Sequence, residues 1–250
     1  MHDFSNQVVL ITGGGAGIGR AAALRFAAAG ATVVVTGRRE APLRALAGQH
    51  PNIDWVLADA ALPEDAARTI DTVVARHGRL DVLVNNAGDG AILRLDDAGF
   101  ERIARIFAVN VIGPSLLASA ALPRLREARG AIVNISSTFG HKAGAMLSHY
   151  GASKAALEHM TRCWALELAP AGIRVNAVAA GPTESDFLAE RMGLNAQQIA
   201  AVKQDEAARI PLGRRGEPDD VARMIATLAS RDAGWVTGQV LAVDGGLNIA

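Results

Sequence analysis

The run Val8-Val9-Leu10-Ile11-Thr12, followed at once by Gly13-Gly14-Gly15-Ala16-Gly17-Ile18-Gly19-Arg20, limits this chain more than any other segment. The first part is β-branched and apolar and reads as a strand, and residues 18–29 after the glycines have helical period. A glycine turn between a strand and a helix N-terminus is an anion site: its amides point outward and the helix dipole favours negative charge. Gly17 and Gly19 allow close backbone approach and tight helix–strand packing, with Gly13, Gly15 and Ile18 completing the turn. A pyrophosphate is the ligand such a turn suits.

The rest of the chain keeps the same alternation. Strand candidates lie at 8–12, 32–36, 53–58, 82–85, 131–136, 174–179 and 240–243, and helical segments such as 18–29, 64–77, 150–168 and 218–230 separate most of them. This order predicts an α/β, doubly wound sheet of about seven parallel strands with helices on both faces. No linker, repeat or low-complexity tract divides the 250 residues, which fit one domain. Residues 182–216 break the rhythm, with helical patterning at 186–192 and 196–208 but no strand. A strand-free insertion of that size reads as a lid or specificity element.

Twenty-five basic residues balance twenty-five acidic ones, so charge gives no general reason to expect nucleic acid or an anionic membrane as partner. Cys163 is the only cysteine, which excludes an intramolecular disulfide, and no cluster at ligand spacing suggests a metal. The start lacks the basic and apolar regions of a signal peptide, and no uninterrupted apolar run reaches membrane-spanning length. A soluble, cytoplasmic protein is the expectation.

Tyr150 and Lys154 stand four residues apart in a helical segment, so their side chains share one face. A free phenol, with a pKa of about 10, is a poor acid or base at neutral pH. A neighbouring ammonium stabilises the phenolate and should bring the phenol toward the working range. A Ser136-Ser137 pair lies just upstream.

Four motifs now stand in order: Thr12-Gly-x-x-x-Gly17-x-Gly19, Asn85-Asn86-Ala87-Gly88, the serine pair and Tyr150-x-x-x-Lys154. In order and spacing they resemble the short-chain dehydrogenase/reductase family, and the match runs on to the C-terminal Val243-Asp244-Gly245-Gly246. The branch it looks like includes 3-oxoacyl-carrier-protein reductases and ketone reductases. The resemblance implies a Rossmann-type fold and a nicotinamide dinucleotide. It assigns the catalytic serine to Ser137, thirteen residues before Tyr150, and gives Lys154 a second role on the nicotinamide ribose. Asn110 matches the asparagine that holds a water linking Lys154 to solvent. Asp59 and the Ala60 amide would contact adenine, and Asn86, Ala87 and Gly88 would close over the adenosine side while bracing the sheet. After the sixth strand the chain reads Ala180-Gly181-Pro182-Thr183-Glu184-Ser185, where relatives commonly show Pro-Gly with a threonine four residues past the glycine. Both Thr183 and Ser185 stay open as the hydroxyl that binds the carboxamide.

The second strand ends in Thr36-Gly37-Arg38-Arg39. An acid in place of Gly37 would bind the ribose 2′-hydroxyl of NAD. Arg38 and Arg39 instead suit a 2′-phosphate, so NADP(H) is favoured. NAD(H) is the alternative, because Ala16 stands where many NADP-preferring relatives carry a base.

The resemblance thus implies an NADP(H)-dependent ketone or 3-oxoacyl reductase. Two alternatives are an NAD(H)-dependent sugar, steroid or polyol dehydrogenase and a non-catalytic dinucleotide-binding regulator; the complete catalytic set argues against the second. The small-molecule carbonyl or alcohol is expected between 89–93, 138–149 and the lid, against Ile92, Leu93, Met146, Phe187, Leu188 and Met192. His141 and His149 read as loop or cap residues. Arg124, Arg126 and Arg129 read as a solvated helix end, with an acyl-carrier docking patch as the alternative. A homotetramer is expected, or else a dimer, through the two long helices after the fourth and fifth strands and the C-terminal strand and helix.

Overall fold

The computed structural model describes residues 2–250. Its strands are β1 (Val8–Thr12), β2 (Thr32–Gly37), β3 (Ile53–Leu57), β4 (Val82–Asn85), β5 (Ala131–Ser137), β6 (Arg174–Ala180) and β7 (Val240–Val243). The helices are α1 (Gly17–Ala28), α2 (Glu40–Ala47), α3 (Pro63–His77), α4 (Phe100–Phe107), α5 (Gly113–Ala128), α6 (Ser148–Leu168), α7 (Phe187–Glu190), α8 (Ala196–Arg209) and α9 (Pro218–Ala229). The strands run in the order β3-β2-β1-β4-β5-β6-β7, and each neighbouring pair is parallel. This is the doubly wound, Rossmann-type sheet that the alternation predicts.

Successive strand side chains point to opposite faces, and here both faces are covered. Val9 and Ile11 of β1 belong to one apolar cluster with Phe26 of α1, Leu43 of α2 and Ile225 of α9. Val8 and Leu10 belong to the other, with Val73 of α3, Leu117 of α5 and Leu168 of α6. Burial on both sides explains why the strands read as continuous apolar runs.

From β1 the chain winds outward to β3, then returns to lay β4 on the other side of β1. A crevice opens beyond the strand C-termini where the order reverses in this way. Thr12 Oγ1 fastens its walls, accepting from the amides of Asn86 at 3.0 Å and Ala87 at 2.9 Å. Asn86 Nδ2 donates back to the Thr12 and Gly13 carbonyl oxygens at 2.8 and 3.1 Å. Gly13 has φ +68°, and a side chain at Gly19 would collide with the Gly13 carbonyl oxygen and lie 2.5 Å from Asn86 Nδ2. The glycines are therefore required by contact as well as by conformation.

One helical stretch, Phe100–Ala128, spans 29 residues, and an 18-residue window within it with a mean hydropathy of 1.7 is apolar enough by composition to cross a membrane. It is interrupted by a π-helical turn at Ala108–Ile112, and Leu117, Ala118, Ala121 and Leu125 lie buried against the sheet. Its outer side carries exposed Ile112 and Leu116, which accounts for apolarity beyond one stripe. Residues 182–216 hold α7 and α8, and one parallel bridge between Thr183 and Gly216 closes the segment at its base.

Gly19→Ala tests the close approach. Overpacking of a site this tight costs about 1–3 kcal/mol. The melting temperature should fall by roughly 3–10 °C in a calorimetric scan, with weakened dinucleotide binding beside it.

Candidate active site

β5 runs through Ser137 into the short turn Thr138–Gly140, and α6 then crosses back over the sheet with Tyr150 and Lys154 near its start. Gly151 lets the helix close on this turn, since a Cβ there would lie 2.7 Å from the Phe139 carbonyl oxygen. Tyr150 and Lys154 are both buried. Lys154 Nζ donates to the Ile135 carbonyl oxygen at 2.8 Å and lies 6.0 Å from the centre of the Tyr150 ring. Burial pushes the Tyr150 phenol above its ordinary value, and the Ser137 hydroxyl beside it works in the other direction. The lowering expected from the ammonium is not found: burial is the larger influence on the phenol, and the group that opposes it is Ser137 rather than Lys154. Burial also lowers Lys154 to about 8, against the opposing field of Glu158.

One cavity of about 300 Å³ at the strand C-termini gathers most of the sequence-derived set. Gly13, Gly17, Ile18, Gly19, Arg38, Asp59, Ala60, Asn86, Ala87 and Gly88 line one part of it. Ser137, Tyr150, Lys154, Gly181, Thr183 and Ser185 line the rest. Gly15, Arg39 and Asn110 do not line it. Gly15 faces α2, where its Cβ would meet Pro42 at 3.2 Å. Arg39 reaches across to α7 and pairs with Glu190 at 2.7 Å. Asn110 sits fully buried in the π-helical turn, where its Nδ2 donates to the Asp89 carbonyl oxygen at 2.8 Å and to Ser153 Oγ at 2.9 Å. Its Oδ1 accepts from the Asp89 amide at 2.9 Å. A Cβ at Gly88 would lie 3.6 Å from Lys154 Nζ and 3.7 Å from Asn110 Oδ1, so the two side chains meet at this glycine.

Other details change the sequence picture. Asp59 is held by Arg105, whose Nη2 donates to both carboxylate oxygens at 3.1 and 3.0 Å. The Thr183 hydroxyl donates to the Gly181 carbonyl oxygen at 2.9 Å, whereas Ser185 Oγ only accepts, from the Phe187 amide at 3.4 Å. Phe187, Leu188 and Met192 line the cavity as expected, but Ile92, Leu93 and Met146 do not. Those loops pair with each other instead, with the Leu93 amide on the Met146 carbonyl oxygen at 2.8 Å.

The comparisons with known proteins agree with this geometry. A family model described as Enoyl-(Acyl carrier protein) reductase matches residues 13–248. The 3-oxoacyl-[acyl-carrier-protein] reductase FabG of Thermotoga maritima is 37% identical, over 97% of this chain and 98% of its own length. L-fucose dehydrogenase of Bos taurus is 33% identical, over 98% and 91%. Among solved structures, 3-ketoacyl-(acyl-carrier-protein) reductase from Brucella melitensis, complexed with NADH, superposes with a TM-score of 0.92 at 33% identity, covering 98% of this chain and all of that one. The chain belongs to the short-chain dehydrogenase/reductase family.

As a member, it is an oxidoreductase acting on CH–OH or C=O groups with a nicotinamide dinucleotide. Several side chains of this short-chain dehydrogenase/reductase that bear on the cavity carry no signal in the sequence. Arg102 of α4 donates to the Asp89 carboxylate at 3.2 and 3.4 Å, to the Gly90 carbonyl oxygen, and to the Arg191 carbonyl oxygen at 3.1 Å. It thereby ties the end of α7 to the loop after β4. Arg215, nearly buried, donates to Glu184 at 2.8 Å and to the Thr183 carbonyl oxygen at 2.7 Å and pairs with Glu206 of α8. Phe139 lines the cavity between β5 and α6. These partners are far apart along the chain, and only the closed fold brings them together. Arg124, Arg126 and Arg129 lie at the other extreme, on the end of α5 that enters β5. That is the N-terminal edge of the parallel sheet, and none of the three lines the cavity.

Lys154 is held charged at a cost. Its native pKa of about 8 lies below the ordinary 10.5, so the penalty is fully present below pH 8. Between these values the unfolded chain binds more protons, and native stability rises with pH. Lys154→Met should therefore melt about 2–4 °C higher at pH 7 despite losing the Ile135 hydrogen bond, and the advantage should shrink above pH 8. Thermal scans across pH 6–10 check this.

Proposed function

We propose that the protein reduces a ketone or 3-oxoacyl substrate with NADPH, with Tyr150 as general acid. The observation that carries this reading is the convergence of Ser137, Tyr150 and Lys154 on one cavity beside a glycine cradle. The cradle fits a dinucleotide. Gly17 has φ +51° with only Ser185 near its Cβ position, at 3.3 Å, and the α1 N-terminus carries no side-chain cap to compete for its amides. The nicotinamide, when bound, supplies the hydride for a carbonyl carbon.

The chain's own residues do the rest. The Ser137 hydroxyl holds the carbonyl oxygen, where negative charge grows during reduction. Tyr150 gives that oxygen a proton. Lys154 orients the nicotinamide ribose and stabilises the phenolate left behind, and Asn110 holds the water that returns the proton. Ser185, whose hydroxyl hydrogen is free, is the better candidate than Thr183 for the carboxamide.

For the 2′-phosphate we assign Arg38, which lines the cavity and makes no side-chain hydrogen bond or ion pair among the described residues. The runner-up, an NAD(H)-dependent secondary-alcohol dehydrogenase, is favoured by one observation: Arg39, the second cation of this loop, is engaged with Glu190. The substrate would lie against Phe139, Phe187, Leu188 and Met192, so an apolar body next to the carbonyl is expected. We take 1–250 as one domain with 182–216 as its lid. A cytoplasmic location accords with the exposed free thiol of Cys163. A homotetramer accords with exposed Ile112 and Leu116 on α5, Leu166 on α6 and Leu241 on β7.

Purified protein incubated with NADPH or NADH against ketones, acyl thioesters and secondary alcohols tests the reading; absence of turnover with all of them would sink it. Tyr150→Phe should lower turnover by about 10²–10⁴-fold with little change in cofactor affinity, seen by paired kinetics and fluorescence titration. Arg38→Gln should raise the KM for NADPH about tenfold and leave that for NADH unchanged. Equal effects on both cofactors would count against the phosphate assignment.

A further inference from the structure

Glu158 is a buried carboxylate that the mechanism above does not use. It stands four residues after Lys154 on α6, on the same helix face one turn further on. Ser136 Oγ donates to its Oε1 at 2.7 Å and also reaches the Lys154 carbonyl oxygen at 3.4 Å. His141 Nδ1 lies 3.2 and 3.3 Å from its two oxygens, with the ring partly open to solvent. The turn between them leaves no room for a side chain at Gly140: a Cβ there would collide with Glu158 Oε1 and lie 3.0 Å from Ser136 Oγ. The carboxylate is thus fastened on three sides.

Packing alone does not explain a charge in this place. A buried carboxylate is costly, and an apolar side chain of similar volume would serve the core at least as well. Lys154 offers a reason. Its ammonium is buried, makes no ion pair among the described residues, and has the Ile135 carbonyl oxygen as its hydrogen-bond partner. The titratable groups that face Glu158 are Lys154 one turn before it, Arg162 one turn after it on the exposed part of the helix, and His141 on the turn. β5 contributes Ser136, β6 presents only uncharged side chains over 175–180, and Asp244 after β7 bonds Thr138 of the same turn at 3.0 Å. Glu158 is the group whose field opposes the effect of burial on Lys154.

We propose that Glu158, held by Ser136 and capped by His141, is a positioning residue that keeps the Lys154 ammonium charged. The catalytic meaning rests on the function proposed above; the electrostatic claim does not. Glu158→Gln removes the charge and keeps the shape and an acceptor for Ser136. The test is the titration of Lys154 followed by NMR of lysine labelled at 13Cε, assigned with Lys154→Met, in protein without substrate. The midpoint should move toward acid by about one pH unit in Glu158→Gln, and by less in Glu158→Asp, which keeps the charge one methylene further back. The alkaline limb of kcat should move by the same amount. An unmoved midpoint in Glu158→Gln overturns the proposal. Should that variant fail to fold, an unmoved midpoint in Glu158→Leu, which also removes the charge, does so. Absence of wild-type turnover would overturn the oxidoreductase reading alone, since the titration needs no turnover.

Discussion

The structure depends on the seam between β1 and β4. A parallel sheet whose strand order reverses must open there, and the hydroxyl of Thr12 keeps the opening narrow by accepting two amides from the neighbouring turn. The glycine turn approaches the seam from one side through backbone, and Asn86 meets it from the other through its amide and its side-chain Nδ2. Only glycine fits at position 19, where a Cβ would meet both walls. A dinucleotide site follows from this constraint, because backbone amides at a helix N-terminus are what remains when side chains are excluded.

Beyond the seam, the cavity is bounded by paired charges, some buried and some half-buried. Lys154 is buried between β5 and α6, and its lowered proton affinity records the cost. Asp89, Arg102 and Arg105 tie the loop after β4 to the end of α7 and, through Asp59, to the adenosine side. Arg215 joins the loop after β6 to α8. Paired buried charges are poor contributors to stability and good at fixing geometry. Such an arrangement suits a site where hydroxyl, phenol and ammonium must hold their places within fractions of an ångström.

Much of this was legible before folding. Strand and helix positions follow from periods and glycines, and their boundaries shift by a residue or two, as where β5 continues through Ser137 and β6 through Ala180. The residues with chemistry were legible too, because local spacing creates their relation: Tyr150 and Lys154 are neighbours on any helix. The pocket lining was half legible. Phe187, Leu188 and Met192 line the cavity, while Ile92, Leu93 and Met146 do not, and the two loops that carry them are joined by a backbone hydrogen bond that local sequence does not announce. The sign of the Tyr150 shift was not legible, since proximity to an amine can be read from spacing and depth of burial cannot.

Period, glycine placement and short-range spacing therefore determined the sheet, the glycine turn and the Tyr150–Lys154 neighbourhood, because each is a relation between residues a few positions apart. Tertiary structure alone decided which partner each charge finds. Arg102 meets Arg191, Arg39 meets Glu190 and Ser136 meets Glu158 across tens of positions. Such pairings depend on how layers close over one another, and so does the water each group loses, which sets the proton affinities on which the chemistry turns.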